Sequence, residues 1–396
     1  MKSFMKVAMA TTLLTSVATA ALAEEIKLGV FFGFTGPIES IVADMGPAAE
    51  LAIKEVSDSG ALLSGTTVKA VRGDTTCVDA AVATAAAERL ITSEGVKAIV
   101  GGDCSGVTTA ALQNVALPNG TVMISPSATS PALSTVEDNG LFFRTAPSDA
   151  RQGQIVADIL MEKGVKEIAL TYTNNDYGKG LSDSIETNFK AAGGKVTIVA
   201  AHEDGKGDYS AEVGALASAG GEVLVVAGYV DQGGKGIIQG ALDTGAFDTF
   251  YLPDGMVGDA LPEAIGPDLN GSYGANPGTD SPGAATFAKM AEGAGFKAGP
   301  FSAEAYDAAA LIMLAMQAAG STESSALKDK VFDVANAPGE KIYPGELEKA
   351  LKILAGGGEV DYVGASAVEL IGAGESAGNY RQIAIEDGKV VAVKFR

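Results

Sequence analysis

Metal-binding and catalytic side chains are scarce in this chain of 396 residues, which has one histidine and two cysteines. A metal site needs more ligands of the right type, and His202 lies far along the chain from Cys77 and Cys104. The segment 374–378, GESAG, matches the G-x-S-x-G nucleophile pattern, but that pattern requires a later histidine and His202 precedes Ser376. The sequence also has no Walker loop and no G-x-G-x-x-G after a strand. We therefore expect no catalytic residue, no metal and no cofactor, and we interpret His202 as a solvated surface residue.

Basic residues are few. The chain has 28 Lys and Arg against 49 Asp and Glu, which gives a formal net charge of −21. Such a surface repels phosphate groups, so this balance argues against nucleic acid and anionic membranes as partners.

A long apolar segment occurs only at the N-terminus. Lys2 and Lys6 precede an apolar and small-residue core at 7–20, and an A-x-A signal ends at Ala23. No later stretch offers about 18 uninterrupted apolar residues, so no membrane span is expected. The pattern predicts a signal peptide cleaved after Ala23 and a mature protein exported to the periplasm.

The rest of the chain alternates between strand and helix patterns. The pattern predicts strands at 26–32, 67–72, 96–102, 121–124, 167–172, 195–200, 223–227 and 249–252, and helices at 46–57, 79–92, 180–191, 209–218, 234–244, 303–318 and 345–354. This alternation predicts two parallel α/β sheets. The Gly- and Pro-rich stretch 253–283 is interpreted as a crossing between domains, and short β segments are expected at 361–366, 382–386 and 389–395.

Hydroxyl side chains follow two successive predicted strands. Ser105 comes after the strand 96–102 and opens a helix, and 125–130, SPSATS, comes after the next strand. Parallel sheets bind ligands at this edge, and the free N–H groups of a helix N-terminus hold a carboxylate well. We therefore predict a carboxylate-binding site here. Alternatively, Ser105 and Ser130 are only helix N-caps.

Cys77 and Cys104 are separated by 27 residues, and the predicted export places them in an oxidising compartment. We expect a structural disulfide between them. Because Cys104 directly precedes Ser105, the bond would brace the predicted carboxylate site.

Several segments in order carry a resemblance to a known family. They are IKLGVFFGFTGP, DTTC with GGDCSG, ISPSATSPAL, LFFRTAPSDARQG, NNDYGKGL, GYVDQ, LPDGM and AYDAA. The chain resembles the periplasmic solute-binding proteins of branched-chain amino acid ABC transporters, the leucine/isoleucine/valine-binding family, over essentially 24–396. The resemblance implies a type I periplasmic-binding-protein fold, with two doubly wound parallel-sheet lobes, three crossings and a ligand in the cleft between them.

The resemblance also implies roles for individual residues. Ser105 and the amides after it match the carboxylate binders, and Ser127 and Thr129 match the loop that contacts both carboxylate and ammonium. From the other lobe, Tyr177 and Tyr229 match the aromatic residues that close over the ligand, although each is alternatively a packing tyrosine.

Two further positions depart from the family pattern. Asp254 matches the acidic partner of the ammonium, where the family more often has glutamate; alternatively it is a turn residue in PDG. Ile41 occupies the position where well-known members place a tyrosine against the ligand side chain, which leaves the substrate preference open.

The expected organisation is a signal peptide at 1–23, a first lobe from 24–146 and about 278–358, and a second lobe from 147–277 and about 359–396. The expected function is capture of an amino acid, branched-chain or other aliphatic or small polar, and delivery to an ABC-transporter permease. The alternative is the same fold binding an amide or aromatic acid for uptake or sensing. A monomer is expected.

Overall fold

The structure is a computed structural model that describes residues 24–396, so the predicted signal peptide lies outside the described residues. The strands are β1 (Glu25–Phe32), β2 (Thr67–Asp74), β3 (Ile99–Gly101), β4 (Met123–Ser125), β5 (Phe142–Arg144), β6 (Glu167–Thr173), β7 (Lys195–His202), β8 (Val223–Ala227), β9 (Phe250–Leu252), β10 (Tyr273–Pro277), β11 (Glu340–Ile342), β12 (Val360–Tyr362), β13 (Leu370–Ile371), β14 (Glu375–Ser376), β15 (Tyr380–Glu386) and β16 (Lys389–Phe395).

Helices lie between most of these strands. They are α1 (Glu39–Ser59), α2 (Ala80–Glu88), α3 (Ser105–Ala111), α4 (Leu117–Asn119), α5 (Asp149–Glu162), α6 (Asp176–Ala191), α7 (Ser210–Ala219), α8 (Gly233–Thr244), α9 (Ala260–Ile265), α10 (Pro282–Ala294), α11 (Ser302–Ala319), α12 (Ser324–Leu327), α13 (Val331–Ala335) and α14 (Leu347–Ala355). In residues 24–396 we find no helix long and apolar enough to cross a membrane.

Two seven-stranded sheets define two lobes. The first lobe is built on the sheet β13-β14-β5-β4-β3-β1-β2, and the second on β16-β15-β10-β9-β8-β6-β7. Six consecutive strands are parallel in the first sheet, from β14 to β2, and only β13 at its edge is antiparallel. In the second sheet five consecutive strands are parallel, from β10 to β7, and the antiparallel strands β15 and β16 complete one edge. The predicted parallel α/β architecture is confirmed.

The chain passes between the two sheets after β5, after β10 and after β14. The boundary expected at 358/359 is wrong, because β13 and β14 still belong to the first sheet, where Glu375 pairs with Arg144. The stretch 253–283 contains the crossing after β10, as predicted, but it is not irregular throughout, since it also contains α9 and β10. Its glycines and prolines mark the ends of these short elements rather than one long connection.

Helix α1 begins seven residues earlier than predicted and continues through Pro47. A proline inside a helix removes one backbone hydrogen bond. Burial of Ile41, Val42 and Met45 against the first lobe outweighs that loss. The early turns matter because they carry side chains to the cleft.

Helix α11 forms the centre of the first lobe. Every residue from Ala305 to Met316 is fully buried, so this helix is apolar almost all round, as expected of a core helix. Its Asp307, in the AYDAA segment, accepts hydrogen bonds from Tyr362, Ala365 and Ser366. These bonds attach the late segment that carries β12 to the first lobe.

The disulfide between Cys77 and Cys104 is present, with the two Cα atoms 5.2 Å apart. It joins the loop after β2 to the residue before α3. The predicted brace beside Ser105 is therefore confirmed.

The interpretation of His202 as a solvated residue is wrong. The side chain is buried, its Nδ1 lies 2.8 Å from Thr171 Oγ1, and its ring meets Tyr209 edge-on. The reason is that β7 extends two residues further than predicted, which carries His202 into the sheet. Burial lowers the pKa of His202 to about 4.

Candidate functional site

The carboxyl ends of the parallel strands in the two lobes face each other across a closed cleft. The cleft encloses a small cavity of about 20 Å³, room for about one water molecule, so the two lobes are closed tightly against each other. It is lined by Ile38, Ile41, Met45, Asp103, Cys104, Ser105, Ser127, Tyr177, Tyr229, Asp254, Gly255 and Phe301. Six of the seven predicted ligand-binding residues lie on this list, and Thr129 does not.

On the first lobe, the hydroxyls that follow β3 and β4 meet as predicted. Ser105 is the first residue of α3, and its Oγ accepts a hydrogen bond of 3.1 Å from the backbone N–H of Ser130. Ser127 Oγ donates to the carbonyl of Asp103 over 3.1 Å. Ser130 does cap a short turn, through Ala132 N–H, whereas Ser105 caps no helix. The N-cap interpretation therefore holds for Ser130 and is wrong for Ser105.

On the second lobe, Asp254 is 1% exposed and lies where β9 ends. Its Oδ1 accepts hydrogen bonds from Tyr177 Oη at 2.6 Å and from Gly255 N–H at 2.8 Å. Among the described residues, no donor contacts its Oδ2. The residue begins a 3₁₀ turn, as the alternative interpretation held, and it also lines the cavity.

Burial raises the pKa of Asp254, and the bonds from Tyr177 and Gly255 oppose that rise only in part. A buried carboxylate oxygen without a donor is costly to the fold. This atom is therefore a ready acceptor for a cationic group that enters the cavity.

Tyr177 and Tyr229 stack on each other, with ring centroids 5.2 Å apart and planes 13° from parallel. Both rings are buried and line the cavity, so they are packing residues and cavity residues at once. Tyr229 Oη accepts a hydrogen bond from Asn175 Nδ2 over 3.3 Å. The stacked pair forms a rigid wall on the second lobe.

Thr129 lies one layer behind the cavity wall. Its carbonyl accepts a hydrogen bond from the backbone N–H of Asp149 over 2.8 Å, and its buried Oγ1 has no hydrogen-bond partner within 24–396. Thr129 does not line this cavity, and its predicted contact with a ligand stays a prediction.

An apolar wall faces Asp254 from the first lobe. Ile41 belongs to it as predicted, together with Met45 of α1, with Ile38 directly before α1 and with Phe301, which precedes α11. Sequence reasoning missed the last three. The three- and four-residue spacing from Ile38 to Ile41 and Met45 is a helical signal, but it was hidden by the late predicted start of α1. Phe301 has a left-handed backbone (φ 59°) and no sequence signal.

Asp103 and Gly255 were also missed. Asp103 is buried, and its carboxylate accepts bonds from Gly33 N–H and Thr75 Oγ1, so burial raises its pKa while these bonds limit the rise. A Cβ on Gly255 would lie 2.6 Å from the carbonyl oxygen of Gly228 and 2.8 Å from Tyr177 Oη, so only glycine fits between the loop after β8 and Tyr177. Both residues hold the cavity walls in place.

The GESAG segment does not form the strand-to-helix turn of a nucleophile. It forms strand β14, and Glu375 pairs with the buried Arg144 at 2.5 Å. Across residues 24–396 we find no group of three or more His, Cys, Asp or Glu side chains placed to hold a metal ion.

Comparison with known proteins agrees with this geometry. The model of a periplasmic binding protein family matches residues 25–337. A Leu/Ile/Val-binding protein homolog of Brucella melitensis is 31% identical over 337 residues, which cover 81% of this chain and 88% of that protein. The Leu/Ile/Val-binding protein of Escherichia coli K12 is 28% identical over 252 residues, 63% of this chain and 67% of that protein.

Solved structures share the fold. A leucine-binding protein from Thermotoga maritima superposes with a TM-score of 0.80 at 22% identity, covering 93% of this chain and 98% of that one. A solute-binding protein from R. palustris in complex with benzoate gives a TM-score of 0.74 at 19% identity, covering 94% and 96%. The chain therefore has the type I periplasmic-binding-protein fold and belongs to the periplasmic binding protein family.

Proposed function

We propose that this protein binds an α-amino acid with an apolar side chain in the cleft between its lobes. The observation that carries the proposal is that Asp254 lines the cavity and that its buried Oδ2 has no donor in the described part of the chain. A zwitterion needs donors at one end and a carboxylate at the other, because both charges are costly to bury unpaired. The cavity offers both.

The residues of the cavity walls support one orientation of the ligand. The ligand carboxylate lies against the N-terminal turn of α3, near the hydroxyls of Ser105 and Ser127. The ammonium lies at Asp254 under the ring of Tyr177. The side chain points to Ile38, Ile41 and Phe301, which offer it no hydrogen-bonding side chain, so these walls favour an aliphatic amino acid that enters while the lobes are further apart. Thr129 does not line the cavity and supports these residues from behind.

Calorimetric titration with leucine and three analogues tests the site. 4-Methylpentanoate lacks the amino group, leucinamide lacks the carboxylate, and alanine lacks the branched side chain. We expect leucine to bind and the first two analogues to bind at least about a hundredfold more weakly, since each leaves a buried group unpaired. Tight binding of 4-methylpentanoate would overturn the assignment of Asp254.

Aromatic acids are the second candidate ligands, because structures of the same fold hold benzoate and p-hydroxybenzoate. Such ligands have no ammonium for Asp254. Titration with benzoate and 4-hydroxybenzoate tests this candidate directly. If either one binds and leucine does not, the ligand is an aromatic acid.

We further propose that the protein is exported to the periplasm and delivers its ligand, as a monomer, to the permease of an ABC transporter. Membership of the family supports this role. A mature protein that begins at Glu24 in the periplasmic fraction, together with ligand-dependent stimulation of ATP hydrolysis by the reconstituted transporter, would support it. Retention of residues 1–23 in a cytoplasmic form would overturn it.

A further inference from the structure

Asp149, in the SDARQG segment, is a second buried acid that the proposed site does not use. It is the first residue of α5 and is fully buried. Its Oδ1 accepts a hydrogen bond of 2.8 Å from Gln152 Nε2, whereas its Oδ2 has no partner among residues 24–396. An unsatisfied carboxylate oxygen at full burial has no explanation in the packing of α5 alone.

The hydrogen bonds of Asp149 lead to the ligand site. Gln152 contacts both acids, because its Nε2 donates to Asp149 while its Oε1 accepts from the backbone N–H of Asp254 at 3.1 Å. The backbone of Asp149 donates to the carbonyl of Thr129 at 2.8 Å. Asp149, Asp254 and Thr129 each present a buried side-chain oxygen without a donor. These three residues form one connected polar cluster behind the ammonium position.

The groups that face Asp149 from neighbouring elements leave its charge largely uncompensated. They are Arg144 from β5, Tyr177 from α6, Asp254 after β9 and Tyr380 from β15. Arg144 is already engaged by Glu375 and by the carbonyls of Ala128 and Ser130. Burial, and next the charge of Asp254, raise the pKa of Asp149 well above its usual range, and the neighbouring Thr129 hydroxyl, Arg144 and Gln152 oppose that rise only in part. Two buried carboxylates whose charges interact in this way are not both ionised without a cation between them.

We propose that Asp149 and Asp254 share one proton in the ligand-free protein, and that the ammonium of a bound amino acid expels it to solvent. Capture of a neutral zwitterion is then coupled to release of one proton, and the second carboxylate makes the site selective for ligands with an ammonium. This inference rests on the proposed function. It adds Asp149 as a residue that acts on the ligand through the charge of Asp254.

The direction of the pH effect follows from the charges. In the ligand-free protein the pair has a raised pKa, whereas the ammonium lowers the pKa of the pair in the complex. Between these two pKa values, binding releases a proton, so affinity rises with pH and falls as the pair becomes protonated. The limiting slope is about tenfold in Kd per pH unit for one proton.

The test is calorimetric titration of the mature protein with leucine in two buffers of different protonation enthalpy. For the wild type we expect a buffer-dependent heat equivalent to about one proton released, and a Kd that improves from about pH 5 towards about pH 8. In Asp149→Asn we expect the buffer dependence to vanish and the pH profile to flatten. Asp158→Asn is the matched control, since it makes the same change at an exposed position of α5.

Each outcome decides between the two proposals. Binding of leucine by the wild type without buffer-dependent heat overturns proton coupling and leaves the proposed function standing, a result that does not depend on whether any variant folds. Full proton release in Asp149→Asn overturns the role of Asp149. Failure of every amino acid in the panel to bind at any pH overturns the proposed function itself.

Discussion

Asp231 of the second lobe accepts a hydrogen bond of 2.9 Å from the backbone N–H of Ser40, in the first turn of α1 on the first lobe. Its own backbone N–H donates to the carbonyl of Pro37 at 3.0 Å. The residue before α1, Ile38, provides no side-chain cap. The opposite lobe therefore supplies a carboxylate to the positive end of a helix that carries Ile38, Ile41 and Met45 into the cavity.

Replacing Asp231 by alanine should weaken ligand binding without altering the ligand contacts. A helix N-cap contributes about 1 kcal/mol, so we expect leucine affinity to fall roughly fivefold through loss of stability of the closed form. Calorimetry measures the change, and small-angle scattering with ligand present measures how far the lobes have opened. Asp268→Ala, at an exposed position of the second lobe, is the control. An unchanged affinity in Asp231→Ala would show that this contact contributes nothing to closure.

Asp254→Ala should remove the acceptor for the ammonium. Loss of one member of a buried charge pair costs about 2–5 kcal/mol, so leucine affinity should fall by roughly 100-fold or more. Because 4-methylpentanoate has no ammonium, its weaker binding should change little. The comparison variant Tyr177→Phe removes the hydrogen bond to Oδ1 but keeps the carboxylate of Asp254. Its leucine affinity should therefore fall less than that of Asp254→Ala. Leucine binding within about tenfold of the wild type in Asp254→Ala would contradict the orientation.

Much of the site could be predicted because it lies at strand ends. Ser105, Ser127, Tyr177 and Asp254 each follow or flank a short apolar run, and parallel sheets bring such positions to one edge. The same patterns identified both sheets. They do not encode how far each strand extends, so His202 was placed outside a strand that in fact includes it.

The parts that could not be predicted depend on contacts distant in sequence. Phe301 lies in the cavity because of the loop before α11, a left-handed position with no local pattern. Glu375 belongs to the first lobe because it pairs with the buried Arg144, 231 residues away. Thr129 does not line the cavity, and its carbonyl accepts a hydrogen bond from the backbone N–H of Asp149. No periodic pattern of apolar residues in the sequence indicates any of these contacts.

The buried His202 should make stability depend on pH. Its pKa is lowered from a usual value of 6.5 to about 4 by burial, so the folded state holds it neutral. Its contribution is complete above the unfolded pKa and is lost as pH falls towards the folded pKa, up to about 3 kcal/mol. His202→Asn keeps an acceptor and a donor for Thr171 but does not titrate. Chemical denaturation at about pH 7 and about pH 4.5 should show a smaller loss of unfolding free energy in His202→Asn; parallel losses would contradict the assignment.

The disulfide should stabilise both the fold and the ligand site. Closing a loop with a sequence separation of 27 contributes about 3.5 kcal/mol in the chain-entropy account. Replacing Cys77 and Cys104 together by serine should lower the unfolding free energy by roughly this amount. Leucine affinity should also fall, since Asp103 and Ser105 flank Cys104. Reductant should affect the wild type and leave the double variant unchanged; equal sensitivity of the two proteins would show that the effect does not come from this bond.

Ile41 should set the size of the ligand side chain. Truncation to alanine removes three carbon atoms from the apolar wall that faces Asp254, so Ile41→Ala should bind leucine less tightly and phenylalanine more tightly than the wild type. The substitution also costs stability, about 2–4 kcal/mol for a buried isoleucine.

Ile53→Ala separates these two effects. Ile53 lies on the same helix and is 3% exposed, as is Ile41, but it does not line the cavity. Both variants should unfold at lower denaturant concentration, and only Ile41→Ala should change the ratio of the Kd values for leucine and phenylalanine. If the ratio stays at the wild-type value in both, the ligand side chain does not lie against Ile41, and the apolar wall of α1 serves only the fold.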